Sequence, residues 1–129
     1  MKYAYTVLNV INVEKTIKFY ENAFGFSCGY MSDEKNYAEL NTGETKIVFA
    51  ESRVGHKDNN LHSKPEQAIK EGVLRVELSF VSDDIVNDYN KAIRFGAKVY
   101  EELQKKPWGQ MTAYLIDING FLIGMSNSD

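Results

Sequence analysis

Eight short stretches of the chain alternate in the manner of β-strands, and two further stretches repeat apolar residues every three or four positions. From Tyr3 to Val10, Ala4, Thr6, Leu8 and Val10 fall on one face, and Tyr3, Tyr5, Val7 and Asn9 on the other. Asn12 then offers a helix N-cap, Val13, Ile17, Tyr20 and Phe24 recur at helical spacing, and Gly25 suits a helix C-cap. Strands are predicted over Phe26 to Met31, Asn36 to Asn41 and Thr45 to Glu51, the last two joined by a hairpin at Thr42-Gly43-Glu44.

The pattern breaks in a polar stretch from Ser52 to Gly72 and then returns. Val73 to Phe80 alternates again, with Leu74, Val76, Leu78 and Phe80 apolar and Val73, Arg75, Glu77 and Ser79 opposite. Ser82 reads as an N-cap before the acidic turn Asp83-Asp84, and Ile85, Tyr89, Ala92 and Ile93 form a stripe that stops at Gly96. Lys98 to Leu103, Met111 to Asp117 and Phe121 to Ser126 complete the set, with Asn119-Gly120 as a tight hairpin turn that Asp117 and Asn119 stabilise. In the last stretch Phe121, Ile123 and Met125 share an apolar face, whereas Leu122, Gly124 and Ser126 point elsewhere. A glycine inside such a strand marks a place where something comes close.

Leu8 with Leu78, Gly25 with Gly96, Tyr37 with Tyr114 and Gly43 with Gly120 recur at offsets of 70 to 77 residues. The chain thus reads as an α+β fold of two β-α-β-β-β modules. Residues 1–129 form one domain: a module over 1–51, a connecting loop over 52–72 and a module over 73–129. Each helix covers the apolar face of its own sheet. The opposite faces, with Tyr5, Arg75 and Glu77, are too polar for plain core, and two sheets curling toward each other would make them line a cleft.

Composition narrows the possibilities. With 129 residues, 43% apolar and 26% charged, the chain suits a soluble domain with a real core. A net charge of −3 speaks against a nucleic-acid partner. No apolar span suits a signal peptide or a membrane, and the single cysteine, Cys28, fits a reducing cytoplasm and a small apolar role in a strand. His56 and His62 sit in the polar loop and read as solvated side chains.

The candidate chemistry lies on the polar sheet faces. Arg75 and Glu77 share one strand face, where they either neutralise each other or meet, respectively, an anionic and a cationic or hydroxyl group of a ligand. Trp108, in Pro107-Trp108-Gly109, either anchors its loop or stacks on a planar ligand. Tyr5, Tyr37 and Tyr114, with Gln110, are the further candidates for an aromatic, hydrogen-bonding site.

The paired modules, Phe19-Tyr20 before Gly25, and the closing Trp108-Gly109-Gln110, Asp117 and Asn119-Gly120 together resemble the vicinal oxygen chelate superfamily. This group comprises glyoxalase I, bleomycin-resistance proteins and extradiol dioxygenases. The resemblance implies a cleft, usually in a homodimer, that holds either a divalent metal on four side chains or, in the metal-free branch, an antibiotic. It places the metal positions on Tyr5, Val48, Arg75 and Gly124, a poor donor set. A shift of two residues brings in Glu77, with Glu39 as the other carboxylate to consider. Gly124 stands where the metal enzymes carry a carboxylate and leaves that space open. The expectation is a metal-free, cofactor-free, cytoplasmic homodimer that sequesters a small ligand through Tyr5, Tyr37, Arg75, Glu77, Trp108, Gln110 and Tyr114. The alternative is a glyoxalase-like lyase, isomerase or thiol transferase with an atypical metal site or with acid-base chemistry on Glu77 and Tyr5.

Overall fold

The computed structural model describes Met1 and residues 3–51 and 76–127. The loop 52–72 with His56 and His62, the strand start at Val73 and Leu74, and Arg75 lie outside the described residues. The backbone forms two compact units, Met1–Leu61 and His62–Asp129.

In the first unit the order is β1 (Thr6–Val10), α1 (Val13–Phe24), β2 (Ser27–Met31), β3 (Tyr37–Asn41) and β4 (Lys46–Glu51). The sheet runs β1-β4-β3-β2, with β1 parallel to β4 and the remaining pairs antiparallel. Helix α1 starts where Asn12, in extended conformation, accepts a hydrogen bond on its side chain from the Lys15 amide at 2.9 Å. It stops at Gly25, whose φ of 76° is the left-handed conformation that glycine adopts without steric cost. The helix buries Val13, Thr16, Ile17, Phe19, Tyr20 and Ala23 and packs against β2, β3 and β4. Tyr20 is wholly buried, with its ring 5.0 Å from Phe49 and 5.2 Å from Phe19, the latter edge to face. Such aromatic pairs are worth about 1 kcal/mol each beyond their buried area.

The second unit repeats the plan with β5 (Glu77–Ser82), α2 (Ile85–Arg94), β6 (Lys98–Lys105), β7 (Met111–Ile116) and β8 (Leu122–Asn127). Its sheet runs β5-β8-β7-β6, again with the first pair parallel. The fold is therefore α+β, two β-α-β-β-β modules with each helix on one face of its own sheet.

Ser82 does not cap α2 from the N-cap position; it closes β5, and Asp84 is the N-cap. The Ser82 hydroxyl still serves the helix start, accepting from the Asp84 amide at 3.0 Å and donating to Asp88 Oδ2 at 2.5 Å. At the other end the Gly96 and Ala97 amides donate to Ile93 and Ala92 carbonyls at 3.1 and 3.0 Å, with Gly96 at φ 117°. That is the double closure of a Schellman motif. Val76, expected on the apolar face, is 45% exposed because strand pairing begins only at Glu77.

The β7–β8 connection also differs in detail from a two-residue turn. Asp117 amide and Phe121 carbonyl pair at 2.9 Å, and residues 118–120 form a three-residue loop ending on Gly120 at φ 94°. Asp117 is fully buried, and its Oδ1 accepts from the Asn119 and Phe121 amides at 2.8 and 2.7 Å.

The pairing registers correct the repeat alignment by two residues. Two residues separate β1 from α1 and likewise β5 from α2, so Val10 corresponds to Ser82. Thr6 pairs with Ile47 as Leu78 pairs with Ile123, and the last hairpin pairs are Asn41 with Lys46 and Ile116 with Leu122. Leu8 therefore matches Phe80 rather than Leu78, and Tyr114 matches Glu39 rather than Tyr37. The counterpart of Tyr5 is Glu77, not Arg75, and that of Val48 is Gly124. The shift preserves parity, so alternation alone could not detect it.

Candidate functional site

The face of the second sheet turned away from α2 is built by the ladder. Ser79, Gly124 and Tyr114 stand side by side across β5, β8 and β7, and Thr112 stands beside Ser126. The opposite parity of the same strands, Ala113, Leu115, Ile123 and Met125, is buried core. On the open face Glu77, Ser79, Gln110, Thr112, Tyr114 and Ser126 surround Gly124 in a depression of about 180 Å³.

Gly124 leaves no empty space. A Cβ built there would collide with Glu77 Oε1 and would stand 3.2 Å from Glu77 Cδ and 3.3 Å from Ser79 Oγ. The Glu77 side chain thus lies flat over the glycine backbone, and the Ser79 hydroxyl donates to its Oε1 at 2.8 Å. A carboxylate does occupy this place, but it arrives from the neighbouring strand. Glycine at 124 is what lets it come so close.

Thr112 supplies the second feature. It is 9% exposed, and its buried hydroxyl has no hydrogen-bond partner among the described residues. A buried hydroxyl left in that state costs about 1–3 kcal/mol, so its place beside a polar depression calls for a reason. Gln110 closes one end: its Nε2 donates to the Asn127 carbonyl at 3.4 Å and its Oε1 accepts from Trp108 Nε1 at 3.2 Å. Trp108 itself is 70% exposed and is not among the lining residues.

The matching face of the first sheet has a different character. Lys46 lies 5.0 Å from the centre of the Tyr5 ring and pairs with Glu39 Oε1 at 3.2 Å. The Tyr37 ring meets that of Tyr30 at 6.2 Å. The Tyr37 phenol is held above its ordinary pKa, first by hydrogen bonding with the Tyr5 hydroxyl and then by desolvation and the nearby Tyr5, Glu39 and Tyr30. Tyr5→Phe should therefore bring the Tyr37 titration down toward that of an ordinary phenol, read as phenolate absorbance during an alkaline titration. An unchanged late-titrating tyrosine would refute the coupling. Because the folded pKa is raised, this group's stabilisation is complete below the unfolded value of about 10 and is lost as pH rises through the folded pKa.

Of the residues singled out in the sequence, the structure brings Glu77, Gln110 and Tyr114 together in one unit, and Tyr5 and Tyr37 together in the other. Trp108 reaches the first group through its hydrogen bond to Gln110, and Arg75 lies outside the described residues. Thr112, Ser79 and Ser126 were missed as site residues. Each is two positions from a recognised one, on the same strand parity as Tyr114, Glu77 and Gly124 respectively, and that parity was the available signal.

In register, the positions that hold a metal in vicinal oxygen chelate enzymes are Tyr5, Val48, Glu77 and Gly124. Val48 is a fully buried hydrocarbon and Gly124 has no side chain. The one carboxylate, Glu77, already accepts from Ser79. Among the described residues no group of three or more His, Cys, Asp or Glu side chains could hold a metal ion. The donor set does not fit a divalent transition metal. No helix among the described residues is long and apolar enough to cross a membrane.

Paired modules of this topology, each with a polar sheet face opposite its helix, define a known structural class. The model of the glyoxalase/bleomycin resistance protein/dioxygenase superfamily matches residues 2–125, and the chain belongs to that family. Among solved structures it is similar to TioX from Micromonospora sp. ML1, with a TM-score of 0.70 at 16% identity, covering 99% of this chain and 97% of that one. A glyoxalase-related enzyme from Fulvimarina pelagi is similar at TM-score 0.73 and 12% identity, covering 99% and 89%. The hypothetical protein SA1046 from S. aureus is similar at TM-score 0.74 and 20% identity, covering 99% and 94%. At these identities the likeness shows the fold alone. Comparison with curated proteins finds no match.

Proposed function

We propose that this chain is a small-molecule-binding member of its family that uses the depression on the second sheet without a metal. The observation that carries this reading is the buried Thr112 hydroxyl, unpartnered among the described residues, in a depression lined mainly by polar side chains, with Met125 and Gly124 beside them. A ligand hydroxyl or carbonyl reaching Thr112 would supply the missing bond. The volume suits a ring-sized group, since a cavity of about 150 Å³ takes a benzene ring. Sequestration of an antibiotic or similar compound is the function that this reading favours.

Thr112→Val tests it from both sides. The substitution replaces an unsatisfied hydroxyl with a methyl of similar size, so the free protein should gain about 1 kcal/mol, or roughly 3 °C in Tm. Ligand affinity should fall in the same variant. A Tm that drops would show that the hydroxyl is already satisfied. Elemental analysis of protein purified without chelator checks the metal-free part, and a stoichiometric divalent metal would overturn it.

A second reading makes the same site catalytic. Glu77 is a carboxylate oriented by Ser79 inside the depression, as a general base must be. In that case Glu77→Gln would abolish turnover of a bound compound while leaving its binding measurable, whereas a pure binder would return the compound unchanged.

A further inference from the structure

We infer that the depression on the second sheet recognises its ligand through a cationic nitrogen seated on Glu77; this rests on the small-molecule reading above and gives that ligand its chemistry. The comparison of the two modules carries the inference. In the first, Lys46 stands opposite Tyr5 one step before the first ladder pair, Thr6 with Ile47; it lies over the Tyr5 ring and pairs with Glu39 at 3.2 Å. That face meets its acid with its own cation. In the second, Glu77 takes the Tyr5 position, and its ladder partner is Leu122, which takes the place of Lys46. The acid now stands at the Tyr5 position, Tyr114 takes that of Glu39, and among the described residues no cation pairs with Glu77.

The surroundings of Glu77 fit the same conclusion. Among the described residues no lysine or arginine lines the depression, and the ion pairs are Lys35 with Glu14 and Lys46 with Glu39. Next along the ladder, Glu101 of β6 pairs with Tyr114 and adds a second negative charge on that side. The Glu77 carboxylate is also held in place: Gly124 lets it lie against the backbone, and Ser79 fixes Oε1. That leaves Oε2 and the outer lobe of Oε1 for a donor. An ammonium or amidinium there makes a charge-assisted bond, while the ring it is attached to faces Tyr114. Thr112, deeper and uncharged, meets a neutral acceptor or hydroxyl of the same ligand. A carboxylate ligand would face Glu77 with like charge and be rejected.

The test uses the full chain and three matched probes: benzylamine, benzyl alcohol and benzoate. Each is titrated to about 10 mM, enough to populate a site whose Kd is of order 1 mM, and the amide signals of Ser79, Tyr114 and Gly124 are followed by NMR. Benzylamine should shift these signals saturably, with benzyl alcohol and benzoate at least tenfold weaker. Glu77→Gln should weaken benzylamine about tenfold and erase its advantage over benzyl alcohol. Ser79→Ala, which frees the carboxylate without removing its charge, should weaken benzylamine by a smaller factor. Benzoate binding as well as benzylamine, or a Glu77→Gln variant that keeps full benzylamine affinity, would overturn the cationic reading and leave the small-molecule site standing. If no probe moves any of these signals, both readings fall together.

Discussion

Replacing Asp117 with alanine is expected to destabilise the protein by about 3 kcal/mol, the larger of the stability effects predicted for this chain. Asp117 is fully buried at the β7–β8 turn, and its Oδ1 is the acceptor for the Asn119 and Phe121 amides at 2.8 and 2.7 Å. Alanine leaves both donors unmatched beside a tightly packed turn, and each such donor costs roughly 1–3 kcal/mol unless water reaches it. The two strands that the turn joins carry Thr112, Tyr114 and Gly124, so loosening it also loosens the site. The measurement is the urea midpoint, which should fall by roughly 1–2 M with an unchanged slope. Asp117→Asn keeps a carbonyl oxygen at the acceptor position and should cost less than half as much. An Asp117→Ala protein within about 0.5 kcal/mol of the parent would mean that the turn holds without its side-chain scaffold.

Asp117 also shows where sequence reading succeeds. Its role was legible because an Asp two residues before Asn-Gly, between alternating stretches, has a local explanation in backbone hydrogen bonds. The elements themselves were legible for the same reason: the Asn12 cap, the Gly25 stop and the Tyr20 stripe are decided within a turn or two of chain. What failed was long-range. Which residue of β5 stands opposite which residue of β8 is fixed by pairing between strands some forty-five residues apart, and a slip of two leaves every face assignment intact. That slip put Arg75 where Glu77 belongs. Thr112 was missed for a related reason, since a threonine in a strand is unremarkable until its hydroxyl proves to be buried and unpartnered among the described residues.

Gly124→Ala should separate the site from the fold. The added methyl collides with Glu77 Oε1 and comes within 3.3 Å of Ser79 Oγ, so the carboxylate must swing off the strand toward solvent. Glu77 is flexible and exposed, and its displacement costs the fold little. Against that cost, alanine in place of a strand glycine restricts the unfolded chain and contributes about 0.4–1 kcal/mol of stability. The expected result is an unchanged or slightly raised Tm together with a loss of ligand affinity of at least tenfold, because the carboxylate is no longer held beside Ser79. The double variant Gly124→Ala with Glu77→Ala completes the argument. Without the carboxylate the methyl meets no obstacle at its closest point, so the alanine at 124 should be more stabilising in the Glu77→Ala background than in the parent. The difference between the two is the coupling between residues that touch. Equal effects in both backgrounds would place the Glu77 side chain elsewhere and remove the basis for a glycine-seated carboxylate. A Gly124→Ala protein that binds benzylamine as tightly as the parent would show that recognition does not depend on where that carboxylate is held.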